Sequence, residues 1–204
     1  MSCDGTHTNS PDGWKETKVG CVYKDYPQLA SGGTPSAQTS SIRYVAGRED
    51  AAQFGPKLFA LATHSGIYQE AIDTQEVVFI GDGAAWIWNL YDEYFPNAVE
   101  IVDSMHAKSH LYDVAKLAFG ETEIETIGSW VSVVEPLLFD GDITAVVARI
   151  RGFAAQQSEV LDILEREARY FEKHAKRMQY KAFREKGYQI GSGVIESACK
   201  HVVG

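Results

Sequence analysis

Cysteine is scarce in this chain. Cys3, Cys21 and Cys199 are three in 204 residues, far apart and odd in number. They form neither a metal-knuckle spacing nor a disulfide framework, so packing must hold the core and a reducing compartment is expected. No apolar run reaches the ~18 residues that a membrane-spanning helix needs. Met1 to Gly5 hold no basic stretch followed by an apolar one, so no secretory signal is legible and a cytoplasmic location is expected. A P-loop and a Gly-rich dinucleotide fingerprint are both missing, which removes the commonest phosphate-cradling loops. Internal repeats and low-complexity tracts are missing too. Positive charge is short: 19 Lys and Arg face 28 Asp and Glu, for a net charge of −9. An evenly basic nucleic-acid-binding surface is thereby excluded, because backbone phosphates demand Lys and Arg.

What is present is ordinary for a globular protein, but unevenly arranged. Hydrophobic residues make up 45% of the chain, enough to bury a core without covalent staples. Eight of the 19 bases fall between Arg166 and Lys186, where only Glu167, Glu172 and Glu185 oppose them. That segment carries about +5, and the remaining 11 bases and 25 acids leave about −14 elsewhere. One basic segment on an acidic body is either a polyanion footprint or a solvated helix face.

The first half reads as strands. Trp14 to Lys24 alternates through Val19, Cys21 and Tyr23, after turn chemistry at Ser10-Pro11-Asp12-Gly13. Residues 25–40 are rich in Pro, Gly, Ser and Gln and read as a long hairpin loop, disordered by default. Thr39 to Gly47 returns as a third strand. Asp50 is a candidate N-cap for a helix running from Ala51 to Ala71, with Phe54, Leu58, Leu61 and Ala62 at helical spacing. Val77 to Ile80 is a short apolar run of the kind buried on both faces of a sheet, ending at Gly81-Asp82-Gly83. A helix through Trp86, Trp88 and Leu90 stops at Phe95-Pro96. A second buried strand, Ala98 to Val102, ends at Asp103, and a helix follows from Ser104 to Phe119. From Glu121 to Lys186 the pattern is helical. The stripes expected to be buried are Trp130, Val133, Val134 and Leu137; Ile143, Val146, Val147 and Ile150; and Val160, Ile163, Leu164 and Phe171. Gly191-Ser192-Gly193 opens a last helix. The order predicts an α/β fold: a mixed sheet flanked by helices, ribonuclease-H-like, with an all-helical insertion before the last helix. The expected boundaries are a core over 1–120, the insertion over 121–186 and the closing helix over 187–204.

Several acids stand where chemistry is done. Asp82 follows a buried strand between two glycines, and open α/β sheets present ligand groups at the carboxyl ends of strands. A turn residue or helix N-cap is the competing account of Asp82. Asp4 precedes a glycine close after the chain start, where the first strand is expected to be very short. Glu196 lies in the first turn of the last helix, where the macrodipole alone favours a carboxylate by ~0.3–1 kcal/mol. Asp103 has the same strand-end position as Asp82. His106 and His110 are one helical turn apart; they can hold a metal or simply sit on a helix surface, and they lack the Glu of a His-Glu-x-x-His zinc pattern. Phosphodiester cleavage by two divalent ions ~4 Å apart needs several carboxylates, one ion activating the nucleophile and the other stabilising the leaving oxygen. Hard oxygen ligands suit Mg2+ or Mn2+ rather than zinc.

The segments MSCDGT, GWKETKVGCVY, VVFIGDGAAWIW, FPNAVEIVDSMHAKSHL and REKGYQIGSGVIESACKHVV resemble, in order, those of DDE-type bacterial insertion-sequence transposases with a ribonuclease-H-like catalytic domain. The blocks are specific in combination and span nearly the whole chain. The resemblance implies that Asp4, Asp82 and Glu196 are the catalytic and metal-binding triad, holding two Mg2+ or Mn2+ ions. It implies that the helical block between Asp82 and Glu196 is the family's insertion, and that Asp103 and His106 belong to a D-x-x-H element beside the site. It further implies DNA as partner, both terminal inverted repeats and target, and a homo-oligomer in the full-length protein. Three residues precede Asp4 and eight follow Glu196, so the chain reads as that domain truncated at both ends.

In this frame the basic segment becomes a candidate DNA contact through Lys173, Lys176 and Arg177, and through Arg184, Lys186 and Lys200, which lie close in sequence to Glu196. The leading expectation is a metal-dependent DNA cleaving and strand-transferring enzyme. One alternative is a catalytically inactive transposase remnant that binds DNA or partner chains. Another is a phosphatase or nucleotide hydrolase built on the Gly-Asp-Gly turn, for which Glu196 would be dispensable.

Overall fold

Alternation at Val19, Cys21 and Tyr23 predicts a half-buried strand, and the structure puts those residues in β2 (Gly13–Leu29). The structure is a computed structural model and describes residues 1–10, 13–29, 35–67, 76–153 and 158–199. The chain divides into two compact units, Met1–Ile101 with Gly191–Gly204, and Val102–Ile190.

The first unit holds a five-stranded mixed, open sheet flanked by helices. Its strands are β1 (Ser2–Ser10), β2, β3 (Pro35–Gly47), β4 (Val78–Gly81) and β5 (Val99–Val102), in the order β3-β2-β1-β4-β5. β1 pairs antiparallel with β2, β2 antiparallel with β3, and β1 parallel with β4. The helices are α1 (Ala51–His64), α2 (Ala85–Tyr94) and α8 (Gly193–Ala198).

Because side chains alternate across a sheet, the two faces can be assigned residue by residue. A Cβ on Gly20 would sit 2.6 Å from Leu58 Cδ1, so α1 covers the face of Gly20 and its cross-strand partner Cys3. A Cβ on Gly81 would sit 2.6 Å from Ile87 Cγ2, and Phe79 packs against Trp88, so α2 covers the same face. Phe54 of α1 meets Trp86 of α2 edge-on. Val19 and Cys21 point the other way and bury against Ile195 of α8, with Tyr23, Val194 and Cys199 around them.

Three expectations change here. Residues 25–29 and 35–40 are strand rather than disordered loop, paired from Lys24↔Ser40 to Leu29↔Pro35; residues 30–34 lie outside the described residues. Beyond Cys21 only β3 accompanies β2, and a two-stranded ribbon satisfies backbone groups whatever the side chains, while tolerating Pro27 and Pro35. β1 is nine residues long rather than very short, because polar residues 5–10 pair with β2 from Gly5↔Lys18 to Ser10↔Gly13. The helix begun by Asp50, whose Oδ1 accepts from Gln53 N at 2.9 Å, ends at His64; residues 68–71 of the expected helix lie outside the described residues.

The second unit contains α3 (Ser104–Phe119), α4 (Ile124–Asp140), α5 (Ile143–Arg151), α6 (Ser158–His174), a 3-10 turn at Ala175–Met178 and α7 (Tyr180–Glu185). α3, expected with the core over 1–120, groups with this helical block, packing on α4 and α6. The α5 stripe is buried as read. In α4 the buried set is Ile127, Val131, Val134 and Leu138, with Val133 exposed, and in α6 it is Leu164, Ala168, Phe171 and His174. α4 ends at Gly141, whose φ of 82° is left-handed, the usual glycine stop. Arg151 ties α5 to α6 by ion pairs with Glu165 and Glu172.

Candidate active site

β1 and β4 lie side by side and run the same way. Their register pairs Ser2 with Ile80, and Ile80 N donates to Met1 O at 3.0 Å. Two residues further along each chain stand Asp4 and Asp82. Paired Cα atoms of neighbouring strands are roughly 5 Å apart, so the register sets the two acids next to each other. Alternation fixes the face as well. Gly81 and Phe79 point to α2, so Ile80 belongs to the opposite face, and Asp82 follows directly on the end of β4. Ser2 contacts Cys21 at 2.9 Å, on the α8 face, and Asp4 shares that parity. β4 ends at Gly81 while β1 continues with β2 alone. The two carboxylates therefore flank the point where the neighbouring strands part, the place where open α/β sheets bind ligands.

Local structure holds each acid. Asp4 Oδ1 accepts from Gly5 N at 2.7 Å, and its Oδ2 is 4.0 Å from Cys199 Sγ of the α8 segment. Asp82 Oδ1 accepts from Ala84 N at 2.7 Å, closing a turn through Gly83, whose φ of 107° is left-handed. The turn that the sequence offered as the competing account of Asp82 is thus present, and the N-cap of α2 is Ala84. Burial pushes the Cys3 thiol well above its ordinary value, and the charges of Asp4 and Asp82 add to the shift. Two like charges thus act together at one place in the sheet.

Glu196 belongs to α8, the helix that covers the Asp4 face, and stands three residues before Cys199 in sequence. Its side chain is outside the description, as is all of Lys200. Among the described residues no three His, Cys, Asp or Glu side chains converge on a metal-sized point. Cys199, whose Sγ lies 4.0 Å from Asp4 Oδ2, was missed by reading the cysteines only as disulfide or knuckle candidates. The Glu-x-x-Cys spacing on the last helix was the available signal.

The remaining residues lie in the helical unit. Asp103 is 3% exposed and caps α3, its Oδ1 accepting from Met105 N at 2.7 Å and His106 N at 2.9 Å. His106 Nε2 faces His110 Nε2 at 3.3 Å. Lys173 and Lys176 are exposed, while Arg177 lies half-buried with Nη1 3.1 Å from His174 Nδ1. Arg184 covers the Phe139 ring at 4.8 Å and Lys186 the Tyr188 ring at 5.8 Å. No described helix is long and apolar enough to cross a membrane. No protein family, curated protein or solved structure matches the chain.

Proposed function

We propose that this chain is the catalytic domain of a DDE-type insertion-sequence transposase, cleaving phosphodiester bonds at element ends and transferring the strands with a divalent metal. The observation that carries the reading is the parallel register that pairs Ser2 of β1 with Ile80 of β4 and so supports a neighbouring Asp4 and Asp82, whose charges both act on Cys3. Two features support it. The strand order β3-β2-β1-β4-β5 is compatible with a ribonuclease-H-like fold. The helix carrying Glu196 packs on the face to which Asp4 belongs.

The donor set fits Mg2+ or Mn2+. Asp4 and Asp82 offer hard carboxylate oxygens, and a divalent ion offsets the repulsion between two neighbouring negative charges. When bound, such ions activate the attacking hydroxyl and stabilise the leaving oxygen. The chain's own part is positional: Asp4 on a rigid strand, Asp82 on a glycine turn and Glu196 on α8 as the third acid. Gly83, next to Asp82 and without a Cβ, favours close approach of a phosphate backbone, while Gly81 is taken up by the packing of α2. DNA is the substrate, as terminal inverted repeats and target, and the active form is a homo-oligomer.

The test is nicking of supercoiled plasmid in Mg2+ or Mn2+ by the wild-type chain, Asp82→Asn and Glu196→Gln. Nicking should require metal and fall at least about a hundredfold in both variants, equivalent to ~2.7 kcal/mol of transition-state stabilisation. Equal nicking by wild type and variants overturns the reading. A folded wild type that binds DNA without cutting it favours the inactive-remnant alternative.

A further inference from the structure

The spacing of His106 and His110 left two accounts open, and the helical unit supplies the geometry to choose between them. The two Nε2 atoms are 3.3 Å apart, with the rings at 75° to one another. Two nitrogen ligands on a tetrahedral ion, each at 2.0–2.1 Å, are about 3.3–3.4 Å apart. The other nitrogen of His110, Nδ1, is 2.7 Å from Glu167 Oε2 on α6. A carboxylate there holds the proton on Nδ1 and leaves Nε2 as the nitrogen with the lone pair. This is the outer partner that metal-binding histidines regularly have, and it raises ligand basicity as well as fixing the ring. The ring of His110 is held a second time, stacked on Tyr170 with centroids 4.1 Å apart and planes at 23°. Both histidines are only half-buried, so an ion and its water ligands can reach them.

We propose that His106 and His110 form a site for a single Zn2+ ion on α3. Glu167 orients His110, and water or a partner's donor fills the remaining positions. Ring nitrogens suit zinc, whereas the carboxylate pair Asp4 and Asp82 suits harder ions. The site does not depend on the transposase reading and stands in the helical unit by itself. Without the ion the same two atoms make one N–H···N hydrogen bond, donated by His106 Nε2 to His110 Nε2, so the rings already stand in place and zinc takes the position of that proton as His106 changes to its Nδ1–H tautomer.

The experiment is calorimetric titration of the full chain with ZnCl2, paired with the thermal midpoint in zinc and in EDTA. The wild type should bind one equivalent that His106→Gln and His110→Ala each lose. Glu167→Gln should bind the same equivalent 10–100-fold more weakly. Asp82→Asn should retain it, which separates this site from the carboxylate pair. Zinc should raise the midpoint of the wild type but not of His106→Gln, whose midpoint in EDTA should match the wild type and so exclude misfolding. A wild type that binds no zinc, or zinc binding unchanged in both histidine variants, overturns the proposal. Unchanged affinity in Glu167→Gln overturns the role given to that carboxylate.

Discussion

His174 shows how one residue couples packing to pH. It is 1% exposed on the inner face of α6, beside Tyr170, and burial lowers its pKa to about 4, with Arg177, Lys173 and His110 adding to the shift. Unfolded, it titrates near about 6.5. A depressed folded pKa means that its contribution is complete above about 6.5 and is lost as pH falls toward 4, where the unfolded chain binds the proton more readily. The loss should be roughly 1–3 kcal/mol. Urea midpoints measured from pH 7 to pH 4 should fall for the wild type and fall less for His174→Gln. Parallel curves would remove His174 as the cause. Nothing in the sequence marks this histidine: it sits in a charged stretch, and only the phase of α6 turns it inward.

At the scale of elements, glycine decides how closely a helix approaches the sheet. A Cβ at Gly81 would come within 2.6 Å of Ile87 Cγ2, so Gly81→Ala must push α2 off β4. Overpacking of this kind costs typically 1–3 kcal/mol. Gly128 is the contrast, mid-helix in α4 with nothing within 4 Å of an added Cβ. There Gly128→Ala should stabilise by ~0.4–1 kcal/mol, since the unfolded chain loses freedom and the folded one gains no clash. Denaturation midpoints moving in opposite directions for the two variants would bear this out; two shifts of the same sign would not. The glycine run at 81–83 was legible as a turn. That Gly81 is also a packing residue was not, because Ile87 reaches it only through the docking of α2.

For the whole molecule the question is where the positive charge goes. The segment 166–186 reads as one basic stretch, but the fold spends much of it internally. Arg169 pairs with Glu165 at 3.0 Å, Lys181 lies 3.6 Å from Asp140, and Arg184 and Lys186 lie over aromatic rings. Lys173 and Lys176 are exposed, with Arg177 half-buried beside them. If they hold DNA, each phosphate contact adds about 0.9 to the slope of log affinity against log salt. Replacing Lys173, Lys176 and Arg177 with Gln should flatten that slope by about 2–3. An unchanged slope in a binding titration from low to moderate salt would rule this face out. The acidic remainder, about −14, makes the prediction sharp, because few other clusters are available to take over.

The sequence by itself determined the class of fold and most element positions. Period-2 alternation, continuous apolar runs and glycine or proline stops are local signals, and they placed β4, α2, β5 and α3 close to where they stand. It also singled out Asp4, Asp82 and Glu196, two acids beside glycines and one at a helix start, and the family likeness joined them into a set. Only the tertiary structure decided which positions adjoin. The Ser2–Ile80 register sets Asp4 beside Asp82 across 78 residues of chain, and the docking of α8 brings Cys199 to Asp4. Register and docking depend on long-range hydrogen bonds and burial, which no local pattern encodes. The same holds for the Glu167 carboxylate that meets His110 from another helix, and for the length of the β2–β3 ribbon, where backbone pairing outweighed loop-like composition.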